Sequence, residues 1–148
     1  MGLLLDFAAA EINDSLCEHA RVKVRMMQSS RTHGLSCHMR CLTSGYSGTG
    51  ISSLVSVEEV SRASGERRDV SKCLFNVGDS TQRFCIENKI KLSRVSCIVL
   101  SSLAACHVSG LPGVLLCLSD LGAAAVAIVG PVGTAGLVHN MTPFVNKK

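Results

Sequence analysis

The sequence predicts an α/β protein, a layered sandwich built on a mixed β-sheet. Two observations support this prediction. The 148 residues are 47% hydrophobic but only 3% aromatic, so an aliphatic core of Val, Leu, Ile and Ala must form, and the chain is long enough for one domain. Strand patterns come first in hairpins and then alternate with helix patterns. This order is typical of a sheet with both parallel and antiparallel neighbours, covered by helices.

The first 36 residues predict only a poorly defined helix and linker. Leu5, Ala8, Ile12 and Leu16 recur near helical spacing, which favours a helix over residues 3–20. A basic stretch follows, as in half of a mitochondrial targeting peptide. Acidic residues within the first twenty positions argue against a good one. We expect the ordered domain to span residues 37–148 and to be incomplete at its C-terminus.

Hairpin strands open this domain. A short strand is predicted over residues 39–42, a Gly/Ser loop over 43–50 and a strand over 51–57. The loop lacks the Lys-Ser/Thr of a phosphate-binding loop, so we interpret it as a tight turn. Gly65 lies in a polar stretch that suits a hairpin turn, and residues 72–76 form the return strand.

Strands and helices then alternate. The pattern predicts a helix over residues 81–89, a β-branched strand over 95–100, and a helix over 111–120 with Pro112 in its first turn. A strand over 125–129 ends at Gly130-Pro131, and a short final helix includes Leu137.

Cysteine spacing gives no disulfide framework. The eight cysteines contain no Cys-x-x-Cys pair, and we interpret most of them as reduced, buried hydrophobes. One cluster could bind zinc if it lay on a helix or turn: His33, Cys37, His38 and Cys41. On a strand, four steps separate Cys37 from Cys41 by about 13 Å. That is too far for two sulfurs that must each lie about 2.3 Å from one zinc ion.

Two uncharged runs, residues 95–119 and 121–146, are long enough to cross a bilayer. Both contain Gly-Pro or Pro-Gly breakers, which suit strand–loop–helix units better than lipid-facing helices. We therefore predict no membrane partner, and an integral membrane protein is the least favoured alternative.

Four segments together identify a family. In this order they resemble motifs of the tRNase Z family, over residues 37–145. They are Phe75-Asn76-Val77-Gly78-Asp79-Ser80-Thr81-Gln82-Arg83, Lys89-Ile90-Lys91-Leu92-Ser93-Arg94, Gly110-Leu111-Pro112-Gly113 and Gly130-Pro131-Val132-Gly133.

This resemblance implies an αββα metallo-β-lactamase sandwich with a zinc-dependent site. Active members carry Thr-His-x-His-x-Asp-His before the Gly-Leu-Pro-Gly helix. Here Ser102 and Ala104 replace the two histidines, Cys106 replaces the aspartate, and only His107 remains. Asn76 stands where the family has a supporting aspartate. We therefore expect no zinc, and no catalytic residue, on this chain.

Such loss resembles the N-terminal half of a long-form tRNase Z, the enzyme that removes 3′ trailers from precursor tRNA. The resemblance implies a scaffold and RNA support whose partners are precursor tRNA and a zinc-bearing C-terminal catalytic half, in the same chain or in trans. It also implies an intracellular site, the nucleus or the mitochondrion. The RNA-binding candidates are Arg83, Lys89, Lys91 and Arg94.

The net charge of +4 permits such binding. Scarce aromatics predict electrostatic contacts rather than base stacking. Two alternatives stay open: an active zinc metallohydrolase with unrecognised ligands, and a stand-alone interaction module that docks on a catalytic half.

Overall fold

A computed structural model of the chain describes residues 6–11, 33–45, 50–61 and 64–145. Within these ranges the secondary structure forms ten elements. They are β1 (Asp6–Glu11), β2 (His33–Ser44), β3 (Ile51–Ser61), β4 (Arg67–Phe75), α1 (Thr81–Glu87), β5 (Val95–Val99), α2 (Ala105–Val108), α3 (Leu111–Asp120), β6 (Ala125–Gly130) and α4 (Thr134–Val145).

The described strands form one mixed sheet in the order β1-β6-β5-β4-β3-β2. β2, β3 and β4 are antiparallel neighbours joined as hairpins. β5 pairs in parallel with β4 and β6, and β6 pairs in parallel with β1. The mixed sheet confirms the predicted α/β class, because helices connect the parallel strands as such crossovers require.

Helices cover one face of this sheet. Leu54, Leu74, Ile98 and Ile128 lie on successive strands and are at most 3% exposed. They join one core cluster with apolar side chains of α1, α3 and α4. Alternate strand positions point to the other side and are partly or fully exposed. We call this side the open face, formed by Val55, Val57, Cys73, Phe75, Cys97, Val99 and Val129.

Predicted and observed elements agree best where local signals are strong. The helix predicted over residues 111–120 has those bounds, and β5 and β6 lie within one residue of their predictions. The hairpin strands run well beyond the predicted segments, because cross-strand pairing continues through polar pairs such as Glu58–Asp69 and Glu59–Arg68. α2, four residues long, has no period that sequence reasoning could detect.

The helix predicted over residues 3–20 is wrong for residues 6–11, which form β1; the remainder lies outside the described residues. The reason is long-range. Phe7 and Ala9 take registered positions beside Val126 and Ile128 of β6, and parallel pairing overrides a weak local helical period. In the described part of the chain, the helices are too short or too polar to cross a membrane.

Candidate functional site

The predicted site lies where β4 and β5 end. Because these strands are parallel, the loops that follow them meet at one edge of the sheet. Asn76 follows β4 with φ of 53°, a left-handed conformation that Asn tolerates better than most residues. Its backbone N–H donates to the carbonyl of Val99 at 2.8 Å. This bond joins the two loops.

Glycines let three loops, two of them from the motif segments, touch through their backbones. A Cβ at Gly50 would lie 2.3 Å from Cα of Gly78, and a Cβ at Gly110 would lie 2.1 Å from the carbonyl oxygen of Gly78. The carbonyl of Cys106 closes the same contact, 2.7 Å from a Cβ at Gly78. The motif glycines therefore hold the site together by close packing.

Buried hydroxyl groups form hydrogen bonds with one another and with the backbone of the site. Thr81 begins α1; its Oγ1 donates to the carbonyl of Gly78 at 2.7 Å and lies 3.0 Å from Ser52 Oγ. Ser52 Oγ lies 2.6 Å from Thr43 Oγ1 on β2. All three side chains are buried, so the motif threonine has a structural role in this chain.

The residues at the positions of the family's metal motif form hydrogen bonds with one another. Asn76 Oδ1 accepts hydrogen bonds from the Ser101 N–H at 2.8 Å and the Ser101 Oγ at 3.0 Å. His107 Nδ1 lies 2.7 Å from Ser102 Oγ. Ala104 contributes no donor atom, and the thiol of Cys106 lies on an exposed residue.

These residues do not fit zinc. A catalytic zinc site needs three protein ligands of the His, Cys or carboxylate type, and one nitrogen of the surviving His107 is occupied by a serine hydroxyl. Across the described residues, no three His, Cys, Asp or Glu side chains come close enough to share a metal ion. The hydrogen-bond partners of His107 there are hydroxyls, so no carboxylate orients it for acid–base work either.

The second candidate cluster lies on β2, the strand arrangement in which Cys37 and Cys41 cannot share one zinc. His38 Nε2 lies 2.8 Å from Ser36 Oγ and 3.7 Å from Glu58 Oε2. The side chain of His33 is outside the described residues.

The prediction that most cysteines are buried is wrong for the described residues. Among the seven described, Cys85 is buried and Cys37, Cys41 and Cys106 are exposed. The hydrogen bond to Cys97, together with burial, raises the pKa of Cys73. Burial raises the pKa of Cys85, with a smaller effect of Cys117. Both thiols are therefore kept protonated and unreactive at neutral pH.

The four predicted RNA-binding residues separate into two places. Arg83 lies on α1, where its Nε donates to Glu87 Oε1 at 2.7 Å, and this hydrogen bond raises the pKa of the guanidinium. Lys89, Lys91 and Arg94 lie on the loop between α1 and β5. The Arg94 guanidinium donates to the backbone carbonyl of Asp69.

Lys89 and Lys91 line a polar cavity of about 520 Å³ between this loop and strands β2 to β4. We call it the basic cleft. Its charged lining residues are Arg40, Glu58, Arg67, Asp69, Lys72, Lys89 and Lys91. Among its cations, the RNA-binding candidates of the sequence analysis include Lys89 and Lys91 but not Arg40. Only the cross-strand register, which pairs Arg40 with Leu54, reveals that it faces the same side.

The chain resembles tRNases Z from several organisms. It is 42% identical to a mitochondrial tRNase Z of Arabidopsis thaliana over 79 residues, 52% of this chain and 8% of the relative. It is 35% identical to the mitochondrial ribonuclease Z of Drosophila melanogaster over 77 residues, 52% of this chain and 10% of the relative. The structure of the short form of human tRNase Z superposes with a TM-score of 0.52 and 25% identity, covering 73% of this chain and 39% of that one.

Over about half of its length, the chain is similar to tRNases Z. No protein-family model matches it. It spans a tenth or less of the mitochondrial relatives it matches. The tRNase Z likeness confirms the metallo-β-lactamase fold predicted from the motifs, because the described sheet and helices superpose on part of the human enzyme.

Proposed function

We propose that this chain acts in tRNA 3′-end maturation as the metal-site-degenerate, N-terminal half of a long-form tRNase Z. Its role is to scaffold a catalytic half and to support precursor tRNA. The catalytic half would supply zinc-dependent hydrolysis of the phosphodiester bond that releases the 3′ trailer. The proposal places this work in the mitochondrion or the nucleus.

One observation carries the proposal: the metal-motif loop keeps its architecture without its ligands. The Gly50–Gly78–Gly110 contacts hold the loop tightly, and Asn76 binds the Ser101 backbone where the family has an aspartate. A loop that stays folded without metal ligands is what a non-catalytic half requires. A decayed sequence under no constraint would be expected to lose the close glycine contacts as well.

The test adds the purified chain to a separately produced tRNase Z catalytic half and measures the rate of trailer removal from a 3′-extended precursor tRNA. We expect faster removal with the chain present, reaching a plateau at an equimolar ratio. A chain carrying Gly78→Ala, whose loop cannot pack, is the control and should not stimulate. Equal rates with and without the wild-type chain would contradict the scaffold role.

A further inference from the structure

The basic cleft has an excess of cations that the fold does not neutralise. Five cations face two carboxylates. Lys72 Nζ lies 2.9 Å from Asp69 Oδ2, and Arg67 lies 3.9 Å from Glu58 Oε2. In the part of the chain that the structure describes, Arg40, Lys89 and Lys91 form no ion pair. Their combined field favours an anion in the cleft.

The loop that carries two of these cations is fastened to β4. Lys72 Nζ, on a side chain only 8% exposed, donates to the carbonyl of Lys91 at 3.1 Å. The Lys72 N–H donates to the carbonyl of Arg94 at 3.0 Å, and the Arg94 guanidinium donates to the carbonyl of Asp69. Lys72 is thus a positioning residue, and the cleft is formed before any ligand arrives.

A register shift after Val57 helps to form the cleft. It pairs Glu58 with Asp69 rather than with Val70. Residues three apart on a regular strand face opposite sides of a sheet, yet Asp69 and Lys72 lie on one side and bind each other. A β-bulge of this kind redirects a side chain. Here the bulge places the carboxylate of Asp69 beside Lys72, and this contact fixes the position of the buried lysine.

Lys89 occupies a conformation that normally selects glycine. It follows α1 with φ of 55°, and its N–H donates to the carbonyl of Ile86 at 3.1 Å. Glycine is the usual residue at this position after a helix, since it has no Cβ to strain. The chain therefore carries a strained, exposed lysine at the rim of the cleft, where glycine would be more stable.

The basic cleft lies on the opposite side of the sheet from the open face. Arg40, Leu54 and Leu74 form one cross-strand row, and Leu54 and Leu74 belong to the helix-covered core. The cleft is therefore on the helix-bearing side, away from the open face. Lys72 precedes Asn76 by four strand residues, about 13 Å along β4. A ligand in the cleft would leave the metal-motif loop free.

We propose that the basic cleft binds the phosphodiester backbone of RNA through Arg40, Lys89 and Lys91. This inference rests on the proposed function and names the surface that performs the RNA support. The lining contains no Phe, Tyr or Trp, so base stacking does not contribute. Recognition is by charge and does not depend on sequence.

The test compares the full chain with a triple variant, Arg40→Ala, Lys89→Gly and Lys91→Ala. Fluorescence anisotropy of a labelled precursor tRNA is followed over a series of salt concentrations. We expect the variant to bind at least tenfold more weakly. The slope of log K against log salt should decrease by about two to three, since about 0.7 to 0.9 counterions are released per phosphate contact. Lys89→Gly relieves backbone strain and Arg40 and Lys91 are exposed, so a folding defect is not expected to cause the loss.

Arg68→Ala is the matched control, because Arg68 is an exposed cation that does not line the cleft. It should change affinity less than twofold. Equal affinity of wild type and triple variant would overturn the cleft proposal while leaving the scaffold role to the trans assay. Competition by polyglutamate as strong as by unlabelled RNA would also overturn it, since the cleft would then select acidic polypeptides.

Discussion

Asn76 shows how one residue separates architecture from chemistry. The family's aspartate and this asparagine can both accept hydrogen bonds through a side-chain oxygen. Asn76 uses that oxygen twice, for the N–H and the hydroxyl of Ser101, and it also takes the left-handed conformation that the turn after β4 requires. The negative charge that a metal site needs is lost, while the loop geometry remains.

We predict that Asn76→Ala lowers the free energy of unfolding by about 2 kcal/mol, because two hydrogen bonds are lost and alanine is strained at positive φ. Asn76→Asp keeps the accepting oxygen and should change it by less than about 0.5 kcal/mol. Urea denaturation of both variants measures the change in the free energy of unfolding. Equal losses in the two variants would show that the side-chain oxygen does not hold the loop.

At the scale of elements, the close contact of three loops is the feature most sensitive to added volume. We expect Gly78→Ala to destabilise by about 2–3 kcal/mol, since its Cβ would overlap Gly50 and the Cys106 carbonyl. Gly136→Ala, on α4 with nothing within 4 Å of its Cβ, should stabilise by about 0.5–1 kcal/mol. Thermal denaturation compares them. A Gly78→Ala variant as stable as wild type would contradict the packing.

Because the Asp69–Lys72 pair fastens the α1–β5 loop to β4, we predict that the free energy of unfolding falls at acid pH. The hydrogen bond and charge of Lys72 hold the pKa of Asp69 below its ordinary value of 3.8. A lowered pKa contributes stability above the unfolded value, and that contribution is lost as pH falls through the folded value. Asp69→Asn should therefore lose less stability than wild type between about pH 5 and pH 2. If wild type and Asp69→Asn lost equal stability as the pH fell, Asp69 would not be the source of the acid sensitivity.

Sequence reasoning succeeded where the determinant is local and failed where it is distant. Gly110 and Pro112 define the start of α3 within a few residues, and the β-branched run of β5 identifies a buried strand. β1 depends on β6, more than a hundred residues away. The basic cleft needs residues 40, 58, 67–72 and 89–91 to meet. Hairpin register and a bulge bring them together, and neither can be inferred from the separate segments.

At the scale of the whole molecule, the helices in the described part of the chain cover one face of the sheet. The open face carries apolar side chains such as Val57, Phe75 and Val99 that remain partly or fully exposed. Layered α/β proteins bury such a face against a second layer.

This arrangement predicts self-association of the isolated chain through the open face, because contiguous exposed apolar surface drives association. Val57→Lys with Val99→Lys should reduce it. Val132→Lys replaces a side chain that is 81% exposed and lies off the sheet, and it should have no effect. Sedimentation velocity over a concentration series measures the three proteins. Association that persists unchanged in the double variant would place the contact elsewhere.

The central proposal is that this chain is not itself a nuclease. The most direct measurement determines zinc per chain and trailer cleavage of a precursor tRNA on the same purified sample. A catalytic tRNase Z serves as the positive control, before and after its motif histidines are replaced by the Ser and Ala found at positions 102 and 104. We predict no stoichiometric zinc and no cleavage, as in the substituted control. Stoichiometric zinc together with trailer removal would contradict the account and identify an active metallohydrolase.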